Sequence, residues 1–382
     1  MRICLISSYP PNRARLSEYS KSLVDELANR QKIDKIYILA DVADGFKNKV
    51  TEKYKVEVLR VWKADRPFSI LGILASILKL KPDVVHFNVH FQSFGKSRIS
   101  NFIGLSQIFL CRLMGLKVVA SVHNLGELVD LEKAQVNPTL INRLGIFIAT
   151  KLILSASIVV VTVRFYLKYL NERYGQFKIR YIPHGTSVND CPLVNYMDKN
   201  MDKVLLFFGH VGPYKGLPVL LRAFEKLISE RKDIRLVVAG SSHPNFPGYL
   251  ENFIKSAPPK VDFIGYVRDE DLAKVFSIAD VVILPYLTAT GTSGVFHLAC
   301  GYGKPIIASN LPEIRELVAE GASAVLVPPD DVESLKNAIL MFLSNDKMAA
   351  EMGRQNLSFA QRESWSAVAE EYEKVYFEAF KS

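Results

Sequence analysis

The chain has 382 residues, of which 49% are hydrophobic and 23% charged, and a formal net charge of +9. Two globular domains with full cores are expected, and a fibrous, disordered or disulfide-stapled chain is excluded. The four cysteines, Cys4, Cys111, Cys191 and Cys300, show no CxxC or His-paired spacing, so no zinc site is expected and a reducing cytoplasm fits.

The opening MRICLISSYPP has one Arg, a β-type run and two prolines, which is not the pattern of a signal peptide. Residues 2–8 predict a strand, and 17–30 an amphipathic helix with Leu23, Val24 and Leu27 on its apolar face. Strands follow at 36–39, 56–62, 84–87, 117–122, 158–163 and 179–182. The apolar stretch 139–162 is broken by Arg143 and Lys151, too early for a membrane span. It predicts a buried helix leading into the strand at 158–161. Pro183-His184-Gly185 and the polar residues up to 203 read as a hinge. The alternation then restarts with a strand at 204–208 and a helix at 218–231. Strands at 235–239, 261–264, 281–284, 305–308 and 324–327 follow, and an amphipathic helix at 365–380 closes the chain. This rhythm gives an α/β protein with two doubly wound parallel sheets and a cleft between them.

Charge is divided unevenly. Residues 1–185 hold 28 Lys and Arg against 14 Asp and Glu, whereas 186–382 hold 20 against 25. A first half this basic favours a negatively charged partner, either an anionic membrane surface or a phosphorylated acceptor. A solvated basic face is the plainer reading. Without an aromatic platform or zinc finger, nucleic acid is not an expected partner.

The segment 280–305, ADVVILPYLTATGTSGVFHLACGYGKP, carries the strongest local signal. A buried strand runs into Thr290-Gly291-Thr292-Ser293-Gly294, where a helix starts. Backbone N–H groups, the helix dipole and hydroxyl donors suit an anion there. An ordinary capped helix is the competing reading.

Several pieces in order resemble a known family: SSYPPNRARLSEYSKSLVDEL, PDVVHFN, VVASVHNL, RYIPHGT, LLFFGHVGPYKGLPVLLRAF, RLVVAG, VDFIGYV, ADVVILPYL and ACGYGKPIIASNLPEIRELV. The chain resembles a GT-B glycosyltransferase of the family 4 type, also called group 1. The resemblance implies two Rossmann-like domains. Residues 1–185 would be the acceptor side, with a C-terminal helix at 362–382 packing back on it, and 186–361 would bind a nucleotide sugar. It also implies transfer with retention of configuration, and a nucleotide-sugar co-substrate with no metal and no cofactor.

Residue roles follow from the same resemblance. Lys215 takes the position that pairs with the donor diphosphate, within the loop Gly209, His210 and Gly216. Tyr266 and Val267 lie where the base stacks. Thr290, Gly291, Thr292, Ser293 and Gly294 form the donor loop. His123, with Lys215, is the catalytic candidate, placed to polarise the acceptor or hold the sugar. Arg15 and Ser17 are candidates for the acceptor or for a phosphate across the cleft. His86 and His90 are read as packing or acceptor-side residues, and Glu313 and Glu316 as helix-start charges.

Three positions depart from the family pattern: Ala14-Arg15 replaces a Gly-Gly pair, His210 an arginine, and Thr290 and Leu298 two glutamates. An epimerase or hydrolase on the same fold, or a non-catalytic partner of another transferase, are the competing readings. The expected location is cytoplasmic, at the inner face of the cell membrane, with a small-molecule, glycan or lipid-linked acceptor.

Overall fold

In a computed structural model of the chain, the described residues are 1–12, 16–130, 139–175, 178–188, 202–288 and 291–382. They divide into two compact units. The first contains Met1–Leu128, Pro138–Gly185 and Trp365–Ser382, and the second consists chiefly of Thr186–Ser364.

The first unit opens with β1 (Arg2–Ile6), α1 (Ser17–Ala28), β2 (Lys35–Asp41), β3 (Lys49–Lys53) and β4 (Val56–Trp62). It continues with α2 (Pro67–Leu80), β5 (Val84–Val89), α3 (Arg98–Leu113) and β6 (Val118–Val122). Then come α4 (Leu140–Leu154), β7 (Ile158–Val161), α5 (Arg164–Tyr174) and β8 (Ile179–Tyr181). The sheet order is β3-β4-β2-β1-β5-β6-β7-β8. Every neighbouring pair is parallel except β3 with β4. The strands alternate between two cores. Ile3 and Leu5 face α1, whereas Cys4 and Ile6 join the core beneath α2 to α5. Burial on both faces is why these strands read as continuous apolar runs.

The second unit opens with β9 (Lys203–Phe208), α6 (Leu217–Glu230), β10 (Ile234–Ala239), α7 (Glu251–Ile254) and β11 (Val261–Gly265). It continues with α8 (Leu272–Ile278), β12 (Val281–Leu284), α9 (Gly294–Gly301) and β13 (Ile306–Ser309). It ends with α10 (Pro312–Ala319), β14 (Val325–Val327), α11 (Val332–Leu343) and α12 (Asp346–Arg362). Its sheet is parallel throughout, in the order β11-β10-β9-β12-β13-β14. Strand β9 lies between β10 and β12, so the winding reverses there.

The last helix, α13 (Trp365–Lys381), belongs to the first unit; Arg362 still ends α12 in the second. A buried polar network fixes α13 to the first sheet. The Tyr376 hydroxyl meets His86 Nδ1 at 2.8 Å, His86 Nε2 meets Ser121 Oγ at 2.7 Å, and the Tyr372 hydroxyl meets Ser121 Oγ at 2.7 Å. The Tyr19 hydroxyl of α1 joins it, 3.0 Å from that of Tyr372. Loss of hydration pushes the His86 pKa down to about 3, so the imidazole is neutral at pH 7 and His86 is a packing residue.

Two features differ from expectation. Strand β3, KVTEK, is exposed along its length; it is an edge strand without apolar alternation, so nothing in its composition marks it. The helix at 140–154 forms but is not buried. Leu140 is 86% exposed and Ile141 66%, while Leu144, Phe147 and Ile148 also face outward. Its apolar residues exceed what one core-facing stripe can cover; Ile153 and Leu154 are buried in the core, and Ala149 and Leu152 pack against it. No helix among the described residues is long and apolar enough to cross a membrane.

Candidate active site

In the second unit, the loop after β9 and the loop after β12 converge beside the strand where the winding reverses. That is the crevice where open parallel sheets bind ligands. Gly209 takes φ 106°, and a Cβ there would sit 3.1 Å from Val295 Cγ2 in the first turn of α9. A short turn over Pro213–Lys215 then leads to Gly216, which caps α6 at φ 69°. A Cβ on Gly216 would lie 1.8 Å from the Pro285 carbonyl oxygen, so only glycine fits.

This close approach sets Lys215 Nζ 3.8 Å from the centroid of the Tyr286 ring. The Tyr286 hydroxyl is 3.3 Å from Ser293 Oγ. Ser293 caps α9, its Oγ accepting from the Phe296 N–H at 3.2 Å. Lys215 and the Ser293 start of α9 therefore share the Tyr286 ring as one aromatic wall. The Ser293 oxygen is engaged in shaping the loop.

His297, which the sequence did not single out, holds the same loop from behind. It is buried, with Nε2 3.1 Å from Thr292 Oγ1. Its Nδ1 lies 3.3 Å from Thr186 Oγ1 and 3.6 Å from a Glu363 carboxylate oxygen. Thr186 and Ser364 are the points where the chain enters and leaves this unit, and the Thr186 N–H donates to the Glu363 carbonyl at 2.8 Å. The loop before α9 is thus tied to both crossing segments through one imidazole. His243 was also missed. Its ring is 5.9 Å from that of His210 and 5.8 Å from that of Tyr214.

Tyr266 and Val267 follow β11, Tyr266 exposed and Val267 half-buried. The Gly265 carbonyl accepts from the Gly240 N–H at 2.7 Å, which fixes the strand end that precedes them. Leu298 packs against the apolar core beneath β12. Thr290 lies outside the described residues, as does Arg15.

In the first unit, His123 immediately follows β6 and is 8% exposed. Its Nε2 is 2.6 Å from Asn88 Oδ1. The Asn88 amide nitrogen donates to Ser7 Oγ at 3.2 Å and Ser20 Oγ at 2.9 Å. With that amide committed as donor, its oxygen faces His123, so Nε2 carries the proton and Nδ1 is the basic atom. The Tyr19 ring packs edge-on against the imidazole, centroids 4.3 Å apart. Ser17, in the first turn of α1, is fully buried, and its hydroxyl has no hydrogen-bond partner among the described residues. His90 follows β5, its Nδ1 accepting from the Gln92 N–H at 3.0 Å. Among the described residues, no group of three or more His, Cys, Asp or Glu side chains could hold a metal ion.

Two Rossmann-like units, each built on a largely parallel sheet, make up the GT-B architecture. Solved structures share this fold. Sucrose-phosphate synthase from Thermosynechococcus elongatus matches with a TM-score of 0.78 at 20% identity, covering 100% of this chain and 99% of that one. Anabaena HepE in complex with UDP-glucose matches with a TM-score of 0.73 at 16% identity, covering 99% and 100%. Residues 202–345 match the family model of Glycosyl transferases group 1. Among curated relatives, a phosphatidyl-myo-inositol mannosyltransferase of Mycolicibacterium smegmatis is 28% identical over 198 residues, 51% of this chain and 50% of that protein. A D-inositol 3-phosphate glycosyltransferase of Corynebacterium aurimucosum is 28% identical over 184 residues, 46% and 43%. The matched part therefore spans about half the length of these curated relatives or less.

Proposed function

We propose that the chain transfers a sugar from a nucleotide-diphosphate sugar to an acceptor hydroxyl with retention of configuration. The observation that carries this reading is the convergence of Lys215, Tyr286 and the Ser293-capped helix start at the switch strand of the second unit. HepE, with the same fold, is described in complex with UDP-glucose, which supports a nucleotide-sugar donor. As the bond from the anomeric carbon to the β-phosphate oxygen breaks, negative charge grows on the diphosphate. Lys215 and the α9 N–H groups stabilise that charge more in the transition state than in the ground state. The acceptor oxygen bonds the anomeric carbon on the face the diphosphate leaves, and its proton passes to the departing phosphate oxygen. No resident metal or cofactor takes part, because Lys215 supplies the positive charge.

His123 belongs to the acceptor side, where Nδ1 polarises the acceptor hydroxyl or holds the sugar. The buried Ser17 hydroxyl at the start of α1 suits an oxygen of a phosphate or of the acceptor. The curated relatives are named for a phosphatidyl-inositol and an inositol phosphate. With the basic first half, these names support an anionic, lipid-linked or phosphorylated acceptor. The test is product analysis: incubation with UDP-, GDP- and ADP-sugars and a membrane lipid extract, followed by NMR of the new anomeric proton. Retained configuration in an acceptor-bound product supports the reading. Free sugar released at the same rate with or without acceptor contradicts it.

A further inference from the structure

Helices α2, α3 and α4 lie side by side over one face of the first sheet, and their outer surfaces are apolar where solvent-facing helices carry charge. On α2 the exposed stripe is Phe68, Leu71, Ala75 and Leu78, with Phe68 91% exposed. The spacing of three and four residues puts all four on one side. On α3 the stripe is Ile99, Phe102, Phe109 and Leu113. On α4 it is Leu140, Ile141, Leu144 and Phe147. These helices hold more than half of the large apolar side chains that the described residues leave exposed. An apolar expanse of this kind marks an interaction surface.

Charge identifies the occupant. The sequences PFSILGILASILKL, RISNFIGLSQIFLCRL and LINRLGIFIATKLIL contain no Asp or Glu. They carry Lys79, Arg98, Arg112, Arg143 and Lys151, with Arg66, Lys81 and Lys96 flanking them, while the neighbouring Lys63 pairs with Asp44 at 3.4 Å. Basic residues elsewhere in the unit pair with carboxylates, as Lys49 does with Glu57 and Arg173 with Glu127. A second copy of this chain would oppose cations to cations. Apolar side chains on helices whose only charges are cations, with Asp65 and Asp83 confined to the flanking turns, match the boundary between acyl chains and acidic headgroups. We propose that the α2–α3–α4 face is the surface on which this protein docks to an anionic lipid bilayer.

The geometry also gives the docking an orientation. Each helix follows a parallel strand, so its first turn lies at the carboxyl edge of the sheet. Phe68, Ile99, Leu140 and Ile141 all sit in those first turns. His123 leaves the sheet at the same edge, after β6. On the transferase reading above, docking brings a membrane-borne acceptor to the side of the unit that carries His123.

The experiment is co-sedimentation of the full chain with vesicles of mixed phosphatidylglycerol and phosphatidylcholine, against phosphatidylcholine alone. It is repeated with the variant Phe68→Ser/Phe102→Ser/Leu140→Ser, and with Lys79→Glu/Arg143→Glu. The native chain is expected to bind the acidic vesicles about tenfold better than the neutral ones and to lose binding at about 0.5 M salt. Each variant is expected to lose about tenfold in binding while keeping the native circular dichroism spectrum. No native binding to acidic vesicles at low salt overturns the proposal, as does native-like binding by the folded serine variant. A dimer in light scattering that the serine variant converts to a monomer also overturns it, making the face a self-interface. The assay contains neither donor nor acceptor, so its result stands whether or not sugar transfer is found.

Discussion

The buried His86 predicts a specific pH dependence for the first unit. Its pKa of about 3 in the fold compares with an ordinary value of 6.5. Because the folded value is depressed, the folded chain refuses a proton that the unfolded chain accepts. The contribution to stability is complete above the unfolded value and disappears as pH falls from there toward the folded value. At pH 5 the gap is about 1.5 pH units, which at ~1.4 kcal/mol per unit is a loss of ~2 kcal/mol relative to pH 7.5. His86→Asn keeps a polar side chain next to Ser121 but removes the titration. Both tryptophans, Trp62 and Trp365, belong to the first unit, so their fluorescence during urea unfolding reports that unit. The native chain should exceed the variant in stability by ~2 kcal/mol less at pH 5 than at pH 7.5. Parallel pH profiles for the two chains would refute a neutral, desolvated His86.

The other predictions concern the site. Gly216→Ala forces a side chain onto the Pro285 carbonyl at a left-handed backbone position. A drop in stability of about 2 kcal/mol or more is expected from denaturant unfolding of the second unit, and an unchanged midpoint would show that the loop has room. His297→Ala frees Thr292 and should weaken nucleotide-sugar binding about fivefold to tenfold in calorimetry; unaltered affinity would mean that the imidazole does not hold the loop. His123→Ala, in the first unit, should lower kcat about a hundredfold and leave donor affinity as it was. A change confined to donor affinity would move His123 to the donor side.

The strands that form both sheets were legible because burial on both faces writes an apolar run into the sequence. Strand β3 was not, since KVTEK has no apolar alternation and pairs with β4 through backbone bonds and the Lys49–Glu57 ion pair. Helix α4 shows a different limit: periodicity announces a helix but does not say which side is covered. Its apolar residues suggest a core stripe, yet Leu140, Ile141, Leu144, Phe147 and Ile148 face outward. Within the site, the glycines marked the loop around Lys215, because glycine is needed where backbone meets backbone. His297 left no mark. Its partner Thr186 is 111 residues away, and a single histidine in an apolar helix looks like packing until the fold brings Thr292 and Glu363 to its two nitrogens. Its one available signal was its place in the first turn and a half after the Ser293 cap.

The central claim is that the second unit binds a nucleoside diphosphate through Lys215. The most direct measurement is calorimetric titration of UDP, GDP and ADP, each with its monophosphate, into the native chain and Lys215→Ala. One diphosphate should bind the native chain, and Lys215→Ala should weaken that diphosphate about a hundredfold and its monophosphate far less. Equal affinity of the native chain and Lys215→Ala for every diphosphate, or no binding by either, would contradict it.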